Sequence, residues 1–224
     1  MIGYGSTLSL READLMYDAL FFDLDGTLID TESLAITSGM AAFAGAGFPV
    51  DEGFLHSLIG TDEPTAATRI LLHLPDVDLA AVNSRWSAGF KALVDLGLVL
   101  KPGVRDLLDQ LSHLPRALVT SSGRVAAHHK LGLVGLAGDF AAVVTLDDVT
   151  RAKPAPDPYL LAAEMLGVAP ARCLVFEDSE PGAEAAHRAG CTVVQIPDIT
   201  PASGRWAHHI APDLIAGARL AGLL

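Results

Sequence analysis

An apolar run, Ala19-Leu20-Phe21-Phe22, stops at Asp23-Leu24-Asp25 and a Gly26-Thr27 turn. Such a run ending in acids and a turn reads as a buried parallel strand whose C-terminal edge meets solvent. Residues i and i+2 share a face of an extended strand, so both carboxylates are expected to point the same way. Two like charges held close and partly desolvated repel each other, and a divalent cation is the usual remedy. Nothing in folding asks for that pair, so it marks a site.

Three later segments repeat the pattern of an apolar run or loop that ends in reactive groups. Leu118-Val119-Thr120-Ser121-Ser122 ends in hydroxyls. Lys153-Pro154-Ala155-Pro156-Asp157-Pro158 places a lysine before a proline-rich helix start, and Leu174-Val175-Phe176-Glu177-Asp178-Ser179 ends in two acids. In this order, and in the extended forms DLDGTL, KPAPDPY and FEDS, the set resembles the haloacid dehalogenase (HAD) superfamily. The resemblance runs from about Tyr17 to about Ile199 and points to the subgroup of phosphatases and phosphomutases with a small helical cap.

The resemblance implies a role for each motif residue. Asp23 is the expected nucleophile, since a carboxylate can attack phosphorus and split one hard displacement into two easier steps through an aspartyl-phosphate. Asp25 is the expected general acid and base, protonating the leaving oxygen and then activating water. Its backbone carbonyl joins Asp23 and Asp178 as ligands of a metal, and hard oxygen donors fit Mg²⁺. Gly26 permits a tight turn whose backbone N–H groups are expected to face the phosphoryl oxygens. The Thr120 hydroxyl and the Ser121 N–H suit one phosphoryl oxygen, and the Lys153 ammonium would neutralise developing charge. Glu177 is a supporting acid. If the strand continues, Glu177 and Asp178 alternate, so only one of them faces Asp23. Ser179 and Gly182 belong to the following turn, where a helix cap is as good a reading as a substrate contact.

From about Lys101 onward, apolar runs alternate with helical patterns, the signature of βαβ units. Strands are expected near 117–120, 141–145, 173–176 and 192–196, with helices near 103–113, 124–131, 158–166, 181–189 and 213–223. Between Thr31 and Gly97 the pattern is helical throughout, broken at Gly45–Pro49, Gly60–Pro64 and Leu74–Asp78. The expected fold is therefore α/β: a doubly wound, mostly parallel, HAD-like and Rossmann-like core from 17–31 and 98–224, with an inserted helical cap over 32–97. Residues 1–16 form a leader outside this scheme. Ligands of such sheets bind at the carboxyl ends of the strands, where the four motifs fall.

Half of the 224 residues are hydrophobic and 19% are charged, which excludes a disordered chain. No apolar stretch reaches membrane-spanning length or looks like a signal-peptide core. The net charge of −12 argues against nucleic acid or an anionic membrane as partner. Cys173 and Cys191 each open an apolar run and read as buried thiols of a reduced cytoplasm. A monomer or weak dimer is expected. The adjacent pairs His128-His129 and His208-His209 read as exposed helix face, because neighbours on a helix point apart. Ser121-Ser122-Gly123 is no G-x-S-x-G elbow, so a serine hydrolase is excluded.

The expected activity is Mg²⁺-dependent hydrolysis of a small phosphomonoester such as a sugar phosphate. Asp25 argues against a dehalogenase. A hexose-phosphate mutase resembling β-phosphoglucomutase is the alternative, and a non-catalytic phosphate-binding module a more distant one. Against the mutase, Gly123 stands where such enzymes tend to carry a lysine, Ala35 where a histidine is often found, and Asp62-Glu63 where an arginine clamp is expected. Arg69, Arg85 and Lys91 could substitute. Specificity should lie in the cap, with Glu32, Glu63, Arg69 and Trp86 as substrate candidates by position, although Trp86 reads more readily as a cap core aromatic.

Overall fold

The computed structural model describes residues 16–58 and 63–224, and of Glu63 the backbone only. The leader through residue 15, Gly60 and Asp62 lie outside the described residues, as does the Glu63 side chain.

Strand β1 (Ala19–Phe22) is buried on both faces. Its residues alternate between two cores, Leu20 and Phe22 on one side and Ala19 and Phe21 on the other. That accounts for the unbroken apolar run, which a sheet covered on both faces requires. The sheet has six strands in the order β3-β2-β1-β4-β5-β6, with every pairing parallel. The others are β2 (Arg116–Val119), β3 (Ala142–Val144), β4 (Cys173–Glu177), β5 (Thr192–Gln195) and β6 (His209–Ile210). Leu20 and Phe22 pack with Leu107, Leu118, Leu131, Phe176 and Leu214, from strands β1, β2 and β4 and helices α5 (Val104–Gln110), α6 (Arg124–Leu133) and α9 (Leu214–Leu220). Phe22 stacks on Phe176 with ring centroids 5.1 Å apart. On the opposite face, Phe21, Val119, Val175 and Val193 meet Tyr159 and Ala162 of α7 (Asp157–Leu166) and Ala183 and Ala186 of α8 (Glu180–Arg188). Cys173 and Cys191 are free thiols buried in this second core. No helix among the described residues is long and apolar enough to cross a membrane.

The chain leaves this core after β1 and returns before α5. Asp30 N–H donates to the Val99 carbonyl (3.0 Å) and Lys101 N–H to the Leu28 carbonyl (2.9 Å), so the outgoing and returning strands are stitched side by side. Between them lie α1 (Glu32–Gly45), α2 (Glu52–His56), α3 (Glu63–His73) and α4 (Leu79–Leu96). These helices enclose their own apolar cluster of Ile36, Phe43, Leu55, Leu58, Ile70 and Val82.

Two readings of the histidines part company. His128 and His129 lie exposed on α6. His208 and His209, expected on a helix, instead run into β6. His208 N–H donates to the Val193 carbonyl (2.9 Å), and its ring stacks on His187 with centroids 5.4 Å apart. A two-residue edge strand carries too little periodicity to be legible, and only the neighbouring β5 supplies its partners.

Candidate active site

The sheet reverses its winding at β1, which is flanked by β2 on one side and β4 on the other. At such a switch point the helices on the two faces diverge and leave a crevice beyond the strand ends. Asp23 follows β1, Thr120 follows β2, and Glu177 closes β4. Lys153 comes from the loop before α7. A cavity of about 490 Å³ opens there, lined in part by Asp23, Asp25, Thr120, Ser121, Lys153 and Asp178.

Lys153 is the hub of this floor. Its ammonium donates to Asp23 Oδ1 (2.6 Å), Glu177 Oε1 (2.5 Å) and the Val119 carbonyl (2.8 Å). The side chain is only 5% exposed. Burial alone would depress its pKa, but Asp23 and Glu177 outweigh that and hold the ammonium above its usual range. Tyr159 adds a hydroxyl to Glu177 Oε1 (2.6 Å), and Ser179 Oγ donates to Glu177 Oε2 (3.0 Å). Glu177 is thus spoken for by protein donors.

The carboxylates of Asp23, Glu177 and Asp178 each offer an oxygen within 4.8 Å of the other two. This corrects the expected alternation. The strand ends at Glu177, and the chain turns there into α8, whose N-cap Ser179 accepts from Gly182 N–H, so Asp178 swings back toward Asp23. Two glycines make room for the convergence. A Cβ on Gly182 would collide with the Glu177 carboxylate, and one on Gly26 with Asp178. Gly26 also has φ +85°, a conformation that a side chain would strain. Burial pushes the Asp23 carboxyl up to about 8, against the pull of Lys153. Burial and the nearby Asp23 and Glu177 hold Asp178 well above the carboxylate range. Three acids with one buried ammonium are short of positive charge, and hard oxygen donors of this kind suit a hard divalent cation. The residues present therefore fit a metal. Glu177 is committed to Lys153, Tyr159 and Ser179, which leaves Asp23 and Asp178 to hold it.

Asp25 departs from expectation. Its carboxylate is not part of the acidic trio, because β1 ends at Phe22 and the two aspartates no longer share a strand face. Asp25 Oδ1 instead accepts from Lys130 Nζ (2.6 Å) and Oδ2 from Ser122 Oγ (2.7 Å). Gly26 forms the expected turn, its own N–H donating to the Ile29 carbonyl (2.9 Å). Thr120 does not cap α6; its hydroxyl accepts from Ser122 N–H (3.0 Å) and shapes the turn.

Of the insert residues, Glu32 reaches the cavity and also lines an adjoining groove with His56, Arg69, Asp178, Glu180 and Asp198. Arg69 lies in that groove and donates to the Ser57 carbonyl. Trp86 does not reach it. Its indole N–H donates to the Ala35 carbonyl (2.8 Å) and its ring packs edge-on to Phe43, making it part of the insert's interior. Lys130, Ser122 and Tyr159 were not singled out from sequence. Lys130 carried a signal: it shares the buried stripe of α6 with Ala127 and Leu131, where a lysine is unexpected.

A doubly wound parallel sheet with a carboxylate–lysine centre at its switch point and a helical insert after the first strand defines a class of hydrolytic α/β proteins. The chain belongs to the haloacid dehalogenase-like hydrolases, whose family model matches residues 17–190. A fructose-1-phosphate phosphatase of Escherichia coli is 32% identical over 181 residues, covering 80% of this chain and 96% of the other. A validoxylamine A 7'-phosphate phosphatase of Streptomyces hygroscopicus is 35% identical, covering 78% of this chain and 83% of the other. Among solved structures, a putative beta-phosphoglucomutase of Thermotoga maritima matches with a TM-score of 0.76 and 29% identity, over 92% of this chain and 100% of the other.

Proposed function

We propose that this chain is a Mg²⁺-dependent phosphatase that hydrolyses a small, singly phosphorylated metabolite of the sugar or polyol phosphate class. The observation that carries this reading is the buried Asp23 bonded to Lys153 at 2.6 Å, with Asp178 beside it on a cavity floor. Residues 17–31 and 98–224 are read as the catalytic core and 32–97 as the cap that closes over it. The setting is a cytoplasmic one, with neither nucleic acid nor membrane as partner and a monomer or weak dimer as the working form.

In this reading Asp23 attacks phosphorus and carries the phosphoryl group as an aspartyl-phosphate. Lys153 holds the Asp23 carboxylate in place and offsets negative charge as it grows on the phosphoryl oxygens. Thr120 and the Ser121 backbone bracket one of those oxygens. Asp25 gives its proton to the leaving oxygen and later takes one from the attacking water. Asp23 and Asp178, with the Asp25 backbone carbonyl, hold Mg²⁺, which when bound draws charge from the phosphoryl group and shields it from the surrounding acids.

The groove suggests what the leaving group looks like. Glu32, Asp178, Glu180 and Asp198 line it with His56 and Arg69, and the Arg69 guanidinium donates to the Ser57 carbonyl, so a second phosphate there would meet four acids against one arginine, while hydroxyl groups would find hydrogen-bond partners. Glu32 Oε2 is buried with no protein partner. Burial and the nearby Asp198 raise the Glu32 carboxyl to about 7, against Lys101, so near neutrality it can either donate to or accept from a hydroxyl. The mutase reading draws support from the likeness to the Thermotoga protein. Arg85 and Lys91 do not help it. Both are exposed on α4, Lys91 is paired with Asp95 at 2.7 Å, and neither lines the cavity or the groove.

Two outcomes test the reading. Phosphate release from a panel of sugar and polyol phosphates should need a divalent ion, with Mg²⁺ best and Ca²⁺ poor, because the larger ion accepts looser geometry. Asp178→Ala should weaken apparent Mg²⁺ affinity more than substrate affinity at saturating metal, and full activity after exhaustive chelation would end the metal assignment. With β-glucose 1-phosphate, inorganic phosphate or no product is expected, and a bisphosphate primer should not stimulate turnover. Formation of glucose 6-phosphate faster than inorganic phosphate would establish the mutase instead.

A further inference from the structure

The Asp25 carboxylate is held by two side chains that come from beyond its own loop. Lys130 Nζ lies 2.6 Å from Oδ1, Ser122 Oγ donates to Oδ2 at 2.7 Å, and Lys130 closes the triangle by donating to Ser122 Oγ at 3.1 Å. Both oxygens therefore have a charged or polar protein partner. The lysine side chain is 8% exposed, against 28% for Asp25. Its stem lies in the apolar stripe of α6 with Ala127 and Leu131, and the Phe90 ring of the cap covers its ammonium at 5.8 Å. One residue earlier, His129 Nε2 lies 2.8 Å from Asp95 of α4. Helix α6 thus touches the cap and Asp25 with adjacent residues. A lysine in a buried stripe that spends its donors on one aspartate and the serine bonded to it is costly unless the aspartate's orientation matters.

We propose that Lys130 is a positioning residue that, together with Ser122, fixes the direction of the Asp25 carboxylate at the seam between cap and core. The inference rests on the reading of Asp25 as the acid–base group. A carboxylate that must serve the leaving oxygen in one step and a water in the next gains from having its free rotation removed, since a misplacement of about 1 Å can cost about 100-fold in rate. Lys130 does this without touching substrate. Gly123 leaves the neighbouring turn with no lysine, and the ammonium at this corner of the site comes from α6 instead.

The test uses Lys130→Met, which keeps the stem in its apolar stripe, with Ser122→Ala, Lys130→Arg and Asp25→Asn alongside. Lys130→Met should lower kcat on a sugar phosphate by about 100-fold, the lower range for general acid–base help, with KM changed by less than about threefold. With p-nitrophenyl phosphate, whose leaving group needs little acid assistance, the first turnover should survive as a burst while steady turnover collapses, because water activation still needs an oriented Asp25. Ser122→Ala should show the same signature more weakly, and it leaves the Lys130–Asp25 ion pair in place, so it serves if Lys130→Met folds poorly. Lys130→Arg should recover at least about tenfold of the loss, since a guanidinium also grips a carboxylate. In the Asp25→Asn background, Lys130→Met should add little. A rise in KM at unchanged kcat would overturn the proposal and make Lys130 a substrate-binding cation. Additive losses in the Asp25→Asn background would do so as well. If Asp25→Asn itself turns over normally, it is the acid–base assignment that fails.

Discussion

Asp23→Asn should lose at least about 10³-fold in kcat, the loss expected when a nucleophile is removed, while its folded state stays intact. The amide nearly matches the carboxylate in shape, and Lys153 keeps its bonds to Glu177 (2.5 Å) and the Val119 carbonyl (2.8 Å). At 6% exposure burial already disfavours the charged form of the Asp23 carboxyl, so a neutral amide there should change stability little. Thermal melts of the two proteins should nearly coincide, and acid-quenched protein should carry phosphate only in the wild type. Activity within tenfold of wild type on the same substrate would sink the aspartyl-phosphate mechanism.

Lys153→Met should fail on both counts, in activity and in stability. The ammonium bridges Asp23, Glu177 and a backbone carbonyl from a 5% exposed position. Removing one partner of a buried ion pair typically costs about 3–5 kcal/mol, because the acids left behind are uncompensated. For a chain of this size each kcal/mol shifts Tm by about 2–4 °C, so the melt should fall by about 6–20 °C. Activity should drop at least about 10³-fold, with charge on the phosphoryl oxygens no longer offset. Lys153→Arg should not restore it: the Tyr159 ring lies 5.3 Å from the ammonium, and the pocket is shaped for a compact donor. A Lys153→Met protein that melts within about 2 °C of wild type would show that the three acids share protons among themselves and do not depend on the lysine.

How much of this was legible beforehand depended on distance along the chain. The Ala19–Phe22 run announced a doubly buried strand because its environment is the same on both faces, and each strand of the βαβ series fell within a residue or two of its expected bounds. The motif residues were legible as well, since Asp23, Thr120, Glu177 and Asp178 all fall at strand ends and a parallel sheet brings strand ends together whatever else varies. Their directions were not legible. The alternation rule assumes that a strand continues, but β1 stops three residues short of Asp25 and β4 one residue short of Asp178, which left the Asp25 carboxylate outside the acidic trio and brought Asp178 into it.

By itself the sequence determined the layers, the strand order class, the helical insert and the chemical types gathered at the switch point. These follow from hydrophobic period and turn chemistry, which act over a few residues. Tertiary structure alone decided which charge answers which. Lys130 meets Asp25 across 105 positions and Lys153 meets Asp23 across 130, pairings that no local period can announce. It also decided that Glu177 is spent on Lys153, Tyr159 and Ser179 while Asp178 is left to face the cavity. The physical reason is that burial makes an unpaired charge expensive, so partners are chosen by whatever donors packing brings within reach, and packing is a property of the whole chain.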